Sequence, residues 1–146
     1  MTKLRFVGKP EHNLRYELFS SETSKEALST YEFLDTEIDN TLEIETGSLG
    51  STLALLNDLS WYLRRYTQYV DLLEPSISEQ EWISRQLAAK IYSREIEKNQ
   101  TSRYYRITGI KNGELLEPLY VRDSPTEYDL HEKDSQIVTR IAEEEF

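Results

Sequence analysis

The chain contains no cysteine, one methionine and only two histidines in 146 residues. The missing cysteines exclude a disulfide framework, a thiolate nucleophile and any cysteine-bound zinc. Histidine is the usual proton shuttle and metal ligand, and here it is confined to His12, in a turn, and His131. The sequence His131-Glu132-Lys133-Asp134 has ligand types but no second histidine nearby, so it reads as a solvated loop. No catalytic triad assembles from these residues, and no cofactor or metal is expected. The N-terminus lacks the run of roughly seven apolar residues that a signal peptide needs, and no window approaches the roughly 20 needed to span a bilayer. These two absences predict a cytoplasmic protein with no membrane partner. Lysine and arginine are missing from Glu26 to Leu63, and no internal repeat or low-complexity run appears.

What is present is the composition of a folded protein. Apolar residues make up 38% and charged residues 30%, with ten tyrosines and two tryptophans. That is well away from the low-hydrophobicity class that stays disordered. At 17.2 kDa the chain fits one globular domain over 1–146, with an acidic, frayed tail at 143–146. A net charge of −10 disfavours indiscriminate contact with phosphate backbones or anionic lipid, because repulsion acts before any specific contact forms.

Apolar residues at Leu49, Leu53, Leu56, Leu59, Leu63, Tyr66, Val70 and Leu73 step by three and four, which predicts a long helix with one buried stripe. Glu74-Pro75 ends it. Ser78 with Glu81 has the form of a capping box, and Ile77 with Trp82 that of a hydrophobic staple, so a second helix is expected to start there. The pair forms an αα-hairpin, about 49–74 and 79–98. Before it, Leu4 and Phe6, then Leu14, Tyr16 and Leu18, alternate as in strands. Thr23 with Glu26 suggests a capped helix running on through Tyr31, Leu34 and Ile38, and Thr41–Glu45 suggests a strand with one acidic face. After it, Asn112-Gly113 supplies the two positive φ angles of a type I′ turn, which predicts a β-hairpin at 102–121. Its register sets Lys111 opposite Glu114 and Tyr105 opposite Tyr120, with Pro118 at an edge or bulge. Asp123–Asp134, with Pro125, reads as a loop and Gln136–Ile141 as a last strand. The sum is α+β: a small, mostly antiparallel sheet with the helix pair on one face.

Functional signals are sparse. Thr46-Gly47-Ser48-Leu49-Gly50-Ser51-Thr52 leads from a strand into a helix and so presents amides to an anion. It lacks the spacing and the lysine of a Walker loop, and the simpler reading is that Ser48 or Ser51 caps the helix. Paired carboxylates are too numerous to point to acid–base chemistry. Charge is unevenly placed: Glu26, Glu32, Asp35, Glu37, Asp39, Glu43, Glu45 and Asp58 form an acidic segment, while Lys90, Arg94 and Lys98 fall at i, i+4 and i+8 as a candidate basic face. Trp61, Tyr62, Tyr66 and Tyr69 lie on the first long helix with Arg64 and Arg65 among them, and such residues anchor interfaces. Tyr66 falls on the buried stripe and is assigned to the core.

These features favour a non-catalytic protein-interaction module: a small complex subunit, assembly factor or inhibitor. The candidate partner-binding residues are Trp61, Tyr62, Arg65, Tyr69, Glu37, Asp39, Glu43 and Glu45. The partner would be another protein, with a basic or nucleic-acid-binding one among the candidates, or a second copy of the chain. The first alternative is an acidic mimic that occupies a nucleic-acid channel with carboxylates in place of phosphates. A second is a small enzyme of unnamed reaction, since an α+β fold alone settles no chemistry. Direct nucleic-acid binding through Lys90, Arg94, Lys98, Tyr104 and Tyr105 is opposed by the overall charge.

Overall fold

The computed structural model describes residues 1–123 and 135–146; the expected loop beyond Asp123 and the His131 cluster lie outside the described residues. The fold is α+β, built on a mostly antiparallel sheet that has nine strands among the described residues. Its central strand is β1 (Thr2–Gly8), flanked by β3 (Thr41–Thr46) and β4 (Thr67–Leu73). Outside β3 lies the short β2 (Phe33–Leu34). On the other side β4 pairs with β5 (Trp82–Ser84), and β5 pairs in parallel with β9 (Ser135–Ile141). Then β6 (Tyr104–Lys111) pairs with β9 and carries both β7 (Glu114–Leu115) and β8 (Leu119–Arg122).

Residues directly opposite one another on neighbouring strands point to the same face. One row, Ile44, Leu4, Leu72 and Ile83, is apolar and fully buried. It faces the helices α1 (Leu14–Ser20), α2 (Glu22–Leu28), α3 (Leu49–Asp58), α4 (Ser60–Tyr66) and α5 (Arg85–Tyr92), whose Leu14, Leu18, Leu28, Leu56, Leu63 and Leu87 join it in one core together with Leu59 between α3 and α4. The next row, Glu43, Arg5, Asp71 and Ser84, is polar and points to the opposite face.

The long helix expected over 49–74 is shorter and broken. α3 begins at Ser48, whose Oγ accepts from Ser51 N, which is the capping arrangement anticipated for that turn. At Leu59 the axis is interrupted, and the Leu56 carbonyl accepts from Ser60 Oγ at 3.2 Å and Arg85 Nη2 at 3.3 Å. Side-chain bonding of this kind bends helices. Thr67 then turns extended, and Thr67–Leu73 joins the sheet instead of continuing the helix. The segment fits both periods: Val70 and Leu73 fit a helical stripe, but Leu72 is buried beside Leu4 while Asp71 lies on the other face. Pairing with β1 decides between them.

The second arm, expected at 79–98, also divides. Trp82 stands on β5, so the staple with Ile77 does not open a helix; Ser78 Oγ accepts from Gln80 N and Glu81 N within a turn, and Ser84 Oγ is the true cap, accepting from Leu87 N. The sequence alternation at Leu14, Tyr16 and Leu18 is helical, since Asn13 Oδ1 accepts from Tyr16 N and Tyr16 points to solvent while Leu14 and Leu18 are buried. Two leucines four apart satisfy both patterns. α2 starts from Ser21 and stops at Leu28, before the strand at Phe33. Residues Glu143–Glu145, expected to fray, form a 3-10 turn in which Glu145 Oε2 accepts from Ala142 N.

The C-terminal hairpin keeps its expected turn, with Asn112 at φ 52° and Gly113 at φ 83°. Lys111 faces Glu114, but Arg106 rather than Tyr105 faces Tyr120, because one residue is added between Leu116 and Leu119, where Pro118 breaks the ladder. Gly113 also lies against the segment before β3: Asp39 N donates to Gly113 O at 2.8 Å, and a Cβ on Gly113 would meet Asp39 Oδ1 at 2.6 Å. The two distant ends of the sheet therefore approach each other, and the sheet is strongly curled. Among the described residues no helix is long and apolar enough to cross a membrane.

Trp82 is 8% exposed, and the Arg5 guanidinium lies 3.8 Å from its ring centroid on the polar face. Trp82→Ala is expected to cost about 3 to 5 kcal/mol, the range for a buried aromatic. Urea unfolding followed by far-UV circular dichroism measures it, and a loss below about 1 kcal/mol would contradict this packing.

Candidate functional site

The inside of the curl is charged. Arg106 Nη2 reaches Asp71 Oδ2 at 2.5 Å although β5 and β9 lie between their strands, and Arg5 Nε reaches Glu43 Oε2 at 3.2 Å. Asp71 and Arg106 are 4% and 6% exposed. The guanidinium of Arg106 also lies 3.8 Å from the Tyr69 ring centroid, so its faces are used by an aromatic and its edge by a carboxylate. Burial pushes the Asp71 carboxyl above the ordinary range, opposed by the positive charges of Arg106 and Arg5. Burial likewise raises the Tyr69 phenol, with Arg106 opposing. Three side-chain atoms in this cluster, Arg5 Nη1, Asp71 Oδ1 and Arg106 Nε, are buried and make no hydrogen bond among the described residues. Native proteins keep such atoms rare, so three together mark a place where stability is given up.

Asp71, Arg106 and Tyr69 form the floor of a cleft of about 510 Å³ whose walls come from α4 and the start of α5. Ser60, Arg64 and Gln68 stand on one side, and Ser84, Arg85 and Gln86 on the other. Glu145 closes one end, accepting from Ser84 Oγ at 2.5 Å. Arg85 donates to Leu56 O and Ser60 Oγ but has no carboxylate partner, and the Arg64 side chain has neither a hydrogen bond nor an ion pair among the described residues. Burial, and then the charge of Arg64, lower the Arg85 pKa. Among the described residues no group of three or more acidic or histidine side chains is placed to hold a metal ion.

The expected site residues divide among several places. Trp61, Tyr62 and Arg65 come together on α4, where the Trp61 ring packs edge-on to Tyr62 at 5.0 Å and Tyr66 at 6.5 Å, with the Arg65 guanidinium 4.7 Å from the Trp61 centroid. Tyr66 is half-buried and belongs to this cluster as well as to the core edge, with His12 against it at 5.0 Å. Tyr69 is not with them; it lies on β4 beneath Arg106. Glu43 is buried against Arg5 and presents no acidic surface, whereas Glu37, Asp39 and Glu45 are exposed. Lys90, Arg94 and Lys98 do not share a helix face, because α5 ends at Tyr92 and Arg94 takes a left-handed φ of 65°. Lys90 instead pairs with Glu144 at 2.5 Å, and Lys98 donates to Ser76 Oγ at 3.1 Å from a 3-10 turn. Sequence reasoning missed Asp71, Arg106, Arg5 and the cleft above them. The available signal was a charge inside an otherwise apolar strand run, in Tyr-Val-Asp-Leu-Leu and Tyr-Tyr-Arg-Ile-Thr.

The chain belongs to a family of unknown function, DUF5804, whose family model matches residues 2–110. No curated protein and no solved structure matches it. The matched residues contain Arg5, Glu43, Asp71 and Arg106, and also α4 with Trp61 and Arg65.

Arg106→Met removes the main counter-charge from a buried carboxylate and is expected to cost about 3 to 5 kcal/mol at neutral pH. The folded-state pKa of Asp71 then rises further above its unfolded value. Between those two values the folded chain holds a proton that the unfolded chain releases, so stability falls as pH rises through the window and recovers as pH is lowered. Arg106→Met combined with Asp71→Leu removes both charges and should regain most of the loss. Urea midpoints across the acidic range test this; a pH-independent deficit in the single variant would contradict it.

Proposed function

We propose that this chain is a non-catalytic protein-binding module that docks a partner through α4, with the Trp61 indole as anchor. The observation that carries this reading is a large aromatic side chain, 55% exposed, held in place before any partner arrives. Arg65 lies over one face of the ring, while Tyr62 and Tyr66 pack against it edge-on. Tyr62 is itself fixed by a 2.7 Å hydrogen bond between its hydroxyl and Ser21 Oγ. A side chain already ordered loses little rotamer entropy on binding, and interface hot spots are enriched in tryptophan, tyrosine and arginine. The partner surface that suits it is an apolar pocket for the indole, rimmed by carbonyls or carboxylates that accept from Arg65.

The acidic-mimic alternative is supported less. It depends on a row of presented carboxylates, and Glu43 is taken out of that row by Arg5. Direct nucleic-acid binding loses its linear basic face, and Tyr105, one of its stacking residues, is 2% exposed.

The test uses a partner recovered with the full chain from its native host. Trp61→Ala should weaken that complex by about 2 to 4 kcal/mol while changing the chain's own stability by less than about 1 kcal/mol, because the indole is a surface anchor. The affinity should change little between low and high sodium chloride, whereas a complex of many exposed charge pairs would be screened over about 8 Å and collapse. A complex indifferent to Trp61→Ala would reject this reading, and a steep salt slope removed by changing Glu37, Asp39 and Glu45 to their amides would reject it in favour of the mimic.

A further inference from the structure

We propose that the cleft between α4 and the start of α5 is a binding site for a small organic phosphate, held by Arg64 and Arg85 over the Asp71–Arg106 floor. The site is distinct from the Trp61 ridge and does not rest on it. In a chain of net charge −10, three arginines line this cleft against two carboxylates. Arg106 is committed to Asp71, and Glu145 to Ser84 and the Ala142 amide. That leaves Arg64 and Arg85 facing the same space with no carboxylate between them, close enough that each repels the other. Like charges brought together beside a low-dielectric wall raise the free energy of the empty cleft, and an anion relieves it.

Three further features point to the same ligand. The cleft is bordered by Ser84, Arg85 and Gln86 at the start of α5, a helix of eight residues, where the macrodipole is positive. Arg106, 6% exposed, lines the same cleft, and its buried Nε has no acceptor among the described residues. Ser60, Gln68 and Gln86 supply neutral hydrogen-bonding groups around the two cations. The donor shape selects the chemistry: a phosphate monoester has three terminal oxygens that accept forked hydrogen bonds from both guanidiniums at once, whereas the two oxygens of a carboxylate are taken up by one arginine. The volume, about 510 Å³, lies in the range of small-molecule sites and leaves room for an organic group beyond the phosphate.

The probe is inorganic phosphate, titrated into the full-length chain by isothermal calorimetry with chloride balancing the ionic strength and acetate as the carboxylate comparison. Saturable one-to-one binding is expected, with acetate at least about tenfold weaker. Arg64→Gln is the informative variant because that side chain makes no hydrogen bond or ion pair among the described residues: it should lower phosphate affinity about tenfold or more, the loss of a charge-assisted bond, without lowering the melting temperature of the ligand-free chain. Arg85→Gln should do the same to binding, with some loss of stability from its bonds to Leu56 and Ser60. Lys90→Gln, on α5 but paired with Glu144 away from the cleft, should leave the affinity unchanged. No saturation by about 10 mM phosphate, binding that survives Arg64→Gln, acetate binding equally well, or an equal loss in Lys90→Gln would each overturn the proposal.

Discussion

Asp71 and Arg106 meet across two intervening strands, and they can do so only because the sheet curls enough to bring β4 and β6 face to face. Taking each charge out of water costs several kcal/mol, so the folded state is acceptable only where the carboxylate and guanidinium find each other. The same condition holds one strand further on, where Arg5 meets Glu43. The polar row therefore constrains register. A slip of one residue at β1 would turn Arg5 towards the helices and Leu4 and Phe6 towards the charged concavity, losing apolar burial and ion pairing together. The apolar row alone would accept several neighbouring alignments of leucine and isoleucine. The charged row accepts one.

The curl also explains features that look unrelated. Asp39 reaches Gly113 because the far edge of the sheet comes round to the segment before β3, and the hairpin turn carries glycine there both for its positive φ and for the space that Asp39 occupies. Ser135 Oγ donates to Glu37 at the same approach. The concave face is thus lined by groups that satisfy one another incompletely, and the buried side-chain atoms without a partner among the described residues gather at Arg5, Asp71 and Arg106.

Much of this fold was legible where a local signal had no rival. The strand at Leu4 and Phe6, the cap at Ser48, the Asn112-Gly113 turn and the last strand at Gln136–Ile141 all depend on neighbouring residues, and all are present. What misled was a pattern shared by two structures. Leu14 and Leu18 fit alternation and a helix turn equally, and Tyr69 to Leu73 continues a helical stripe while also alternating. In both cases the deciding term is tertiary: what Leu18 packs on, and which strand needs a partner beside β1. Of the candidate site, the grouping of Arg65 with Trp61 and Tyr62 was readable because it lies four and three residues after them, and residues so spaced on a helix are neighbours by geometry. The Asp71–Arg106 pair was not, since it spans 35 residues and depends on how far a sheet bends.

α4 is where the two sides of the molecule meet. Successive helical residues are turned by about 100°, so Ser60 and Arg64 border the cleft while Trp61 and Arg65 stand on the exposed ridge. Seven residues are too few to be stable as a helix alone. Its position is set by Leu63 in the core, by Arg85 on the Ser60 hydroxyl, and by the Thr67 hydroxyl on the Leu63 carbonyl. Arg85 thus ties the cleft wall to the base of the ridge. The ridge that presents Trp61 is therefore held by one buried leucine and a few side-chain hydrogen bonds, and Arg85 serves both that support and the cleft wall.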